Sequence, residues 1–225
     1  SEGNLDGLII WPTKSALPCM NLDSYKLLSA KGLPMVFVDS YYPEFPGTYV
    51  AVNDEAIGIT ATHHLISMGH KNIIGIFPHE DRQGHLRYKG YAKALVAAGL
   101  PLKDEYIHWY SKENVEEDLI KPSFWRSLKE CSGAFCFNDS LALMLMDHLN
   151  HKGILIPEDF SVVGVDNIFM ASRSDLTSIV HPGEELGKKV AELIISMIYG
   201  DEGHNILFPP QLISRNSVKK LNTKE

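Results

Sequence analysis

Three short stretches end apolar runs in groups that could grip a hydroxylated ligand. AFCFND runs into Asn138 and Asp139, and SVVGVDN closes on Asp166 and Asn167. IIGIFP opens onto His79, Glu80, Asp81, Arg82, Gln83, Gly84, His85 and, a little further on, Arg87. A carboxylate accepts from hydroxyls, an amide both donates and accepts, and a guanidinium offers a planar fork to two adjacent oxygens. The same pattern recurs earlier in the chain, where Trp11 follows LDGLII, Asp39 follows MVFV, and Asn53-Asp54 follows TYVAV. An indole adds an apolar cover for the C–H face of a sugar ring. Trp11, Asp54, Glu80, Asp81, Gln83, Arg87, Asn138 and Asp166 thus suit a small polyhydroxylated ligand, and His181, after LTSIV, is counted with them. A loop that is merely solvated would explain residues 79–85 as well.

Other chemistries find less support. His79, Glu80, Asp81 and His85 form the one grouping that invites a metal, but no His-x-x-x-His pair and no Cys-x-x-Cys occurs, and a zinc site needs three or four convergent ligands. Neither a metal nor a cofactor is expected. There is no G-x-S-x-G elbow, no phosphate-binding glycine loop and no G-x-G-x-x-G, so an enzyme is not expected either. A formal charge of -7 disfavours nucleic-acid binding by this segment, because affinity for phosphates needs clustered Lys and Arg. Cys19, Cys131 and Cys136 are odd in number and irregularly spaced, which argues for reduced, buried thiols in a cytoplasm. No apolar run approaches a membrane span, and no export signal opens the chain.

These groups need a scaffold that brings strand ends together, and the periodicity supplies one. Short apolar runs predict strands over residues 8–10, 35–38, 49–52, 73–77, 106–109, 134–137, 161–165 and 176–180, with extended pieces at 206–208 and 211–214. Between them, helical spacing predicts helices over 22–30, from Asn53 or Asp54 to Gly69, through Tyr88, Tyr91 and Leu95, over 114–129 broken at Pro122, from Asn138 to Gly153, and over 184–198. The chain should then end in a basic, frayed tail. Strands alternating with helices mean parallel sheets with helices on both faces. Two such series predict an α/β fold of two lobes around a cleft rimmed by the strand exits. The N-terminal lobe is expected to hold residues 1–70 and 182–209, the C-terminal lobe residues 71–181 and 210–225.

LDGLIIWP, HHLISMGHKNI, RYKGY, FNDSLAL, IPEDFSVVGVDN and LTSIVHP together resemble the effector-binding domain of the lactose/galactose repressor family, along the whole chain. The resemblance implies a periplasmic-binding-protein-like fold and a sugar site that includes Arg87 of an R-x-x-G turn, Asn138 and Asp166. PTKSA after Trp11, the acidic loop with Gln83-Gly84, and SRNSVKKLN are similar to the family's arabinose-responsive members, which implies L-arabinose as effector. It also implies a homodimer and operator DNA as partner, bound through a separate N-terminal domain absent from this chain. The family places two strand–helix units before LDGLII, so the N-terminal lobe is expected to be incomplete, with the strand at 8–10 lacking a neighbour. An exported sugar-binding protein of the same fold is the alternative.

Overall fold

The computed structural model describes residues 5–221. They form two compact units: the residues up to Asn53 with Glu80–Gln83 and Pro182–Pro209, and Asp54–His79 with Gly84–His181 and the residues from Pro210 on.

In the first unit, strands β1 (Leu8–Ile10), β2 (Met35–Val38), β3 (Thr48–Val52) and β9 (Ile206–Phe208) form a parallel sheet in the order β1-β2-β3-β9. Val36 and Val50 point to one face, where helix α8 (Gly183–Ile198) lays down Leu186, Val190, Leu193 and Ile194 at helical spacing. Met35 and Phe37 point to the other, against Tyr42 and Phe45 and the half-buried Leu22, Tyr25 and Leu28 of helix α1 (Leu22–Ala30). Ring pairs such as Tyr25–Phe37, edge to face at 5.6 Å, fill this layer. Ile9, on the outer strand β1, is 57% exposed.

The second unit is a six-stranded sheet in the order β10-β8-β7-β6-β4-β5. Its strands are β4 (Ile73–Pro78), β5 (Ile107–Tyr110), β6 (Gly133–Cys136), β7 (Ser161–Asp166), β8 (Thr177–Val180) and β10 (Leu212–Ile213). All pair in parallel except β10, which runs antiparallel to β8 and departs from the all-parallel expectation. Helices α3 (Arg82–Ala97), α4 (Val115–Ile120), α5 (Pro122–Leu128), α6 (Asp139–His151) and α7 (Phe169–Arg173) make the crossovers. β4, β6 and the body of β7 are buried, which is why they read as continuous apolar runs rather than alternating ones.

Three expectations need correction. Helix α2 (Asp54–Ser67), assigned with residues 1–70 to the N-terminal lobe, lies in the second unit, where Ile57, Ala61 and Leu65 are buried and the helix packs on β6, β7 and β8. The polar stretch 78–84 is shorter as a loop than expected, because α3 begins at Arg82; the R-x-x-G step is therefore helical and not a turn. The tail is not frayed between 215 and 221. Ser217 Oγ accepts from Thr177 N–H at 2.8 Å and donates to the Val162 carbonyl at 2.6 Å, Val218 is buried, and Leu221 N–H donates to the Met68 carbonyl at 2.7 Å. Satisfying these buried backbone groups holds a segment whose basic composition suggested solvent. Residues 222–225 lie outside the described residues.

Candidate ligand-binding site

The chemistry of the second unit gathers where its topology divides. The chain leaves β4 for β5 on one side and returns to β6 on the other, so the connections after β4 and β6 run in opposite directions from adjacent strands. Such a switch point opens a crevice outside the carboxyl ends of the strands, the usual ligand position in open parallel sheets. The chain places Arg87 after β4, Phe137 and Asn138 after β6, and Asp166 at the end of β7.

Arg87 reaches its place because two helices touch backbone to backbone. A Cβ on Gly58 of α2 would stand 2.1 Å from the Arg87 carbonyl oxygen, and one on Gly90 of α3 would stand 2.1 Å from that of Glu55. Only glycine permits this approach. It sets Arg87 Nε 2.8 Å from Asp54 Oδ1, with both side chains about 3% exposed. Arg87 Nη1 donates to the Phe137 carbonyl, and the guanidinium lies 4.4 Å from the centre of the Phe137 ring. A buried ion pair of this kind survives because its charges are matched and hydrogen-bonded. Asp54 is thus the partner of Arg87, while also opening α2 with an acidic group in the first turn.

Asn138 spends one half of its amide on the fold: its Oδ1 accepts from Leu141 N–H at 2.9 Å and caps α6. The other half, the amide nitrogen, is what it can offer a ligand. Asp166 is half-buried at φ 105°, and Asn167 follows at φ 51°. Two consecutive non-glycine residues in this region store strain, which accumulates where a side chain must be aimed. His181 is half-buried after β8, and its backbone N–H donates to the Asp166 carbonyl at 3.3 Å. The second unit therefore holds Asp54, Arg87, Asn138, Asp166 and His181, with Arg87 and Asp54 in direct contact and His181 tied to Asp166 through the backbone.

Trp11, Glu80, Asp81 and Gln83 belong to the first unit. Trp11 is 71% exposed, so its ring is available to a flat apolar face. Glu80 and Asp81 are buried; Glu80 Oε1 lies 4.0 Å from Lys14 Nζ, and its carbonyl accepts from Ala16 N–H at 3.0 Å. Gln83 Nε2 donates to the carboxylate and the carbonyl of Asp39, at 3.0 and 3.2 Å, and Asp39 itself sits at φ 64°. Beside them Arg82 covers the Tyr41 ring at 4.3 Å and donates to its hydroxyl at 2.8 Å. Its backbone N–H donates to Ser15 Oγ at 3.0 Å, which also accepts from Ser40 Oγ.

Sequence reasoning missed the support under Asp166. Asp139, which follows Asn138 at the start of α6, is fully buried; it accepts from Ser178 Oγ at 2.6 Å and from Ile168 N–H at 2.9 Å. Burial, the largest influence, pushes its carboxyl up to about 6 against the lowering effect of those two donors and of Arg215. Arg215 donates to Asn167 Oδ1 and to the Leu176 carbonyl, each at 2.6 Å. The available signal was Thr177-Ser178, two hydroxyl residues inside the strand run Leu176 to Val180. Among the described residues no three His, Cys, Asp or Glu side chains converge as a metal site would require. No helix among them is long and apolar enough to cross a membrane.

Residues 62–218 match the model of the periplasmic binding protein-like domain. The chain belongs to that family. Among its relatives, the arabinose metabolism transcriptional repressor of Halalkalibacterium halodurans is 36% identical over 233 residues, covering 98% of this chain and 62% of the repressor. The HTH-type transcriptional repressor PurR of Photobacterium profundum is 32% identical over 232 residues, covering 99% of this chain and 67% of the relative. A transcriptional regulator solved as a CelR–cellobiose complex superposes with a TM-score of 0.82 at 25% identity, over 95% of this chain and 66% of the regulator. The periplasmic binding protein-like domain thus recurs here within relatives that are longer than the chain itself.

Proposed function

We propose that this chain is the sugar-sensing and dimerisation domain of a bacterial, cytoplasmic transcriptional repressor, with L-arabinose as effector. The observation that carries the reading is the cluster at the switch point of the second unit: a guanidinium fixed by a buried carboxylate, a half-committed amide, and an aspartate held in a strained conformation at a strand end. Acceptors and forked donors so fixed suit adjacent sugar hydroxyls, and they cost little to organise on binding. Trp11, Glu80, Asp81 and Gln83 are further candidate ligand contacts in this reading. The names of the relatives support a repressor, and the name of the Halalkalibacterium relative supports arabinose.

Sensing then works by differential affinity. The ligand stabilises whichever conformation of the protein it binds better, and operator DNA, bound elsewhere in the full protein, favours the other. Linkage requires that the sugar weaken operator binding by the same factor by which the operator weakens sugar binding.

Isothermal titration with L-arabinose, D-ribose, D-galactose, cellobiose and free nucleobases tests the reading. L-arabinose is expected to bind more tightly than the other compounds. Tighter binding of a nucleobase, or no binding of any sugar, would overturn it.

A further inference from the structure

The strained step at Asp166–Asn167 needs something to hold it, and the fold places a buried acid directly beneath. Asp139 opens α6, yet its carboxylate caps nothing in its own helix. Its two oxygens face the neighbouring strands instead: Oδ1 takes the Ser178 hydroxyl from β8, and Oδ2 takes the Ile168 N–H from the segment after β7. The Ser178 oxygen in turn accepts from Asn167 N–H at 3.0 Å. The backbone N–H groups of Asn167 and Ile168 are thus pinned, one through Ser178 and one directly, immediately after Asp166. Gly164 completes the fit, since a Cβ there would stand 2.2 Å from Asp139 Oδ1. Burying a carboxylate is costly, and the site already described gives this one no ligand to meet.

We propose that Asp139 is a positioning residue for the ligand site, holding the Asp166–Asn167 step in its left-handed conformation through Ser178 and the Ile168 N–H. This rests on Asp166 contacting the ligand, as proposed above. In its ionised form Asp139 only accepts, which matches two donors aimed at it. A proton on Oδ2 sets a donor against the Ile168 N–H, so that bond is lost and the step relaxes. The charged and titratable groups around it are Asp166 at the end of β7, Arg215 after β10 and Cys136 in β6. Burial already holds Asp139 well above the usual carboxylate range, so the change falls at about pH 6. His181, tied to Asp166 through the backbone, is a further ionisable side chain beside the step, and it is retained in every variant below.

Asp139→Asn and Ser178→Ala test the assignment, with melting of the ligand-free proteins confirming that each folds. The first measurement is amide hydrogen exchange without ligand. The Asn167 and Ile168 amides are expected to exchange at least tenfold faster in Asp139→Asn, and Asn167 alone in Ser178→Ala, while amides of the first unit stay unchanged. The second measurement is L-arabinose affinity against pH. The wild type is expected to weaken as the pH falls through about 6, whereas Asp139→Asn binds at least tenfold more weakly at pH 7.5 and loses that inflection. A purely structural role would not move the pH profile. Wild-type exchange rates at Asn167 and Ile168, or an unchanged profile in Asp139→Asn, overturn the proposal. If the wild type binds no L-arabinose, the sugar reading falls, and the exchange rates alone decide whether Asp139 holds the step.

Discussion

Each unit ends a strand in an aspartate held in the left-handed region, and the two are built in opposite ways. Asp39, after β2, has φ 64° and is nearly buried, and its carboxylate takes the Gln83 amide at 3.0 Å. Asp166, ending β7, has φ 105° and stays half-exposed, while the buried Asp139 secures the backbone behind it. In the first unit the acid itself takes a neighbour's amide; in the second a buried acid holds the backbone that follows the visible one. The same contrast separates Trp11, an exposed ring, from Arg87, a cation fixed on a buried carboxylate. In the proposed reading, the second unit offers the fixed guanidinium of Arg87 and the first unit the exposed ring of Trp11.

The largest expected effect comes from removing the fixed guanidinium. Arg87→Ala leaves Asp54 charged and buried without its partner, a loss that typically costs roughly 3–5 kcal/mol. Chemical denaturation is expected to show that loss, and a variant as stable as the wild type would mean that the pair contributes nothing net. Asp166→Ala should leave stability nearly untouched and weaken L-arabinose by roughly ten- to a hundredfold, since each hydroxyl left unpaired costs about 1–3 kcal/mol. Calorimetry checks it, and unchanged affinity would remove Asp166 from the site.

A smaller effect follows from pH. Burial, the leading cause in each case, holds His64, His70 and His108 of the second unit below the usual imidazole range. On acidification the unfolded chain takes up protons near pH 6.5 that the folded chain refuses, so the stability these residues contribute above that pH is lost below it. Asp139 acts in the opposite sense: raised to about 6, it accepts a proton in the folded chain before the unfolded chain does, which adds stability as the pH falls further. The melting temperature is expected to drop from pH 7 towards pH 6 and more gently below. A flat or rising curve would contradict the burial of these imidazoles. Smallest of all, Trp11→Ala should change stability by less than about 0.5 kcal/mol, as exposed positions do. Its sugar affinity is expected to fall a few-fold by calorimetry, and a full loss would make the exposed ring more than a minor contact.

Most of the elements, and the residues gathered at the strand ends, were legible because their signals are local. Asn138 is a cap after an apolar run, Gly153 a helix stop, and Pro122 the first residue of α5. What escaped depends on contacts between distant parts of the chain. Nothing near Asp139 in sequence reveals that Ser178, 39 residues on, supplies its hydroxyl. The membership of α2 in the second unit likewise follows from its packing on β6, β7 and β8, and the order of residues 215–221 from bonds to Val162 and Met68. The family resemblance singled out Arg87 and Asp166, but not the buried carboxylates beside or beneath them.

The most direct test of a prebuilt sugar site in the second unit is an amide NMR titration of the protein with L-arabinose. The account predicts saturable shifts concentrated at Asn138, Leu141, Asn167, Ile168 and His181, the backbone positions carried by the cap and by the strained step. Shifts confined to other parts of the chain, or no saturable shifts at all, would contradict it.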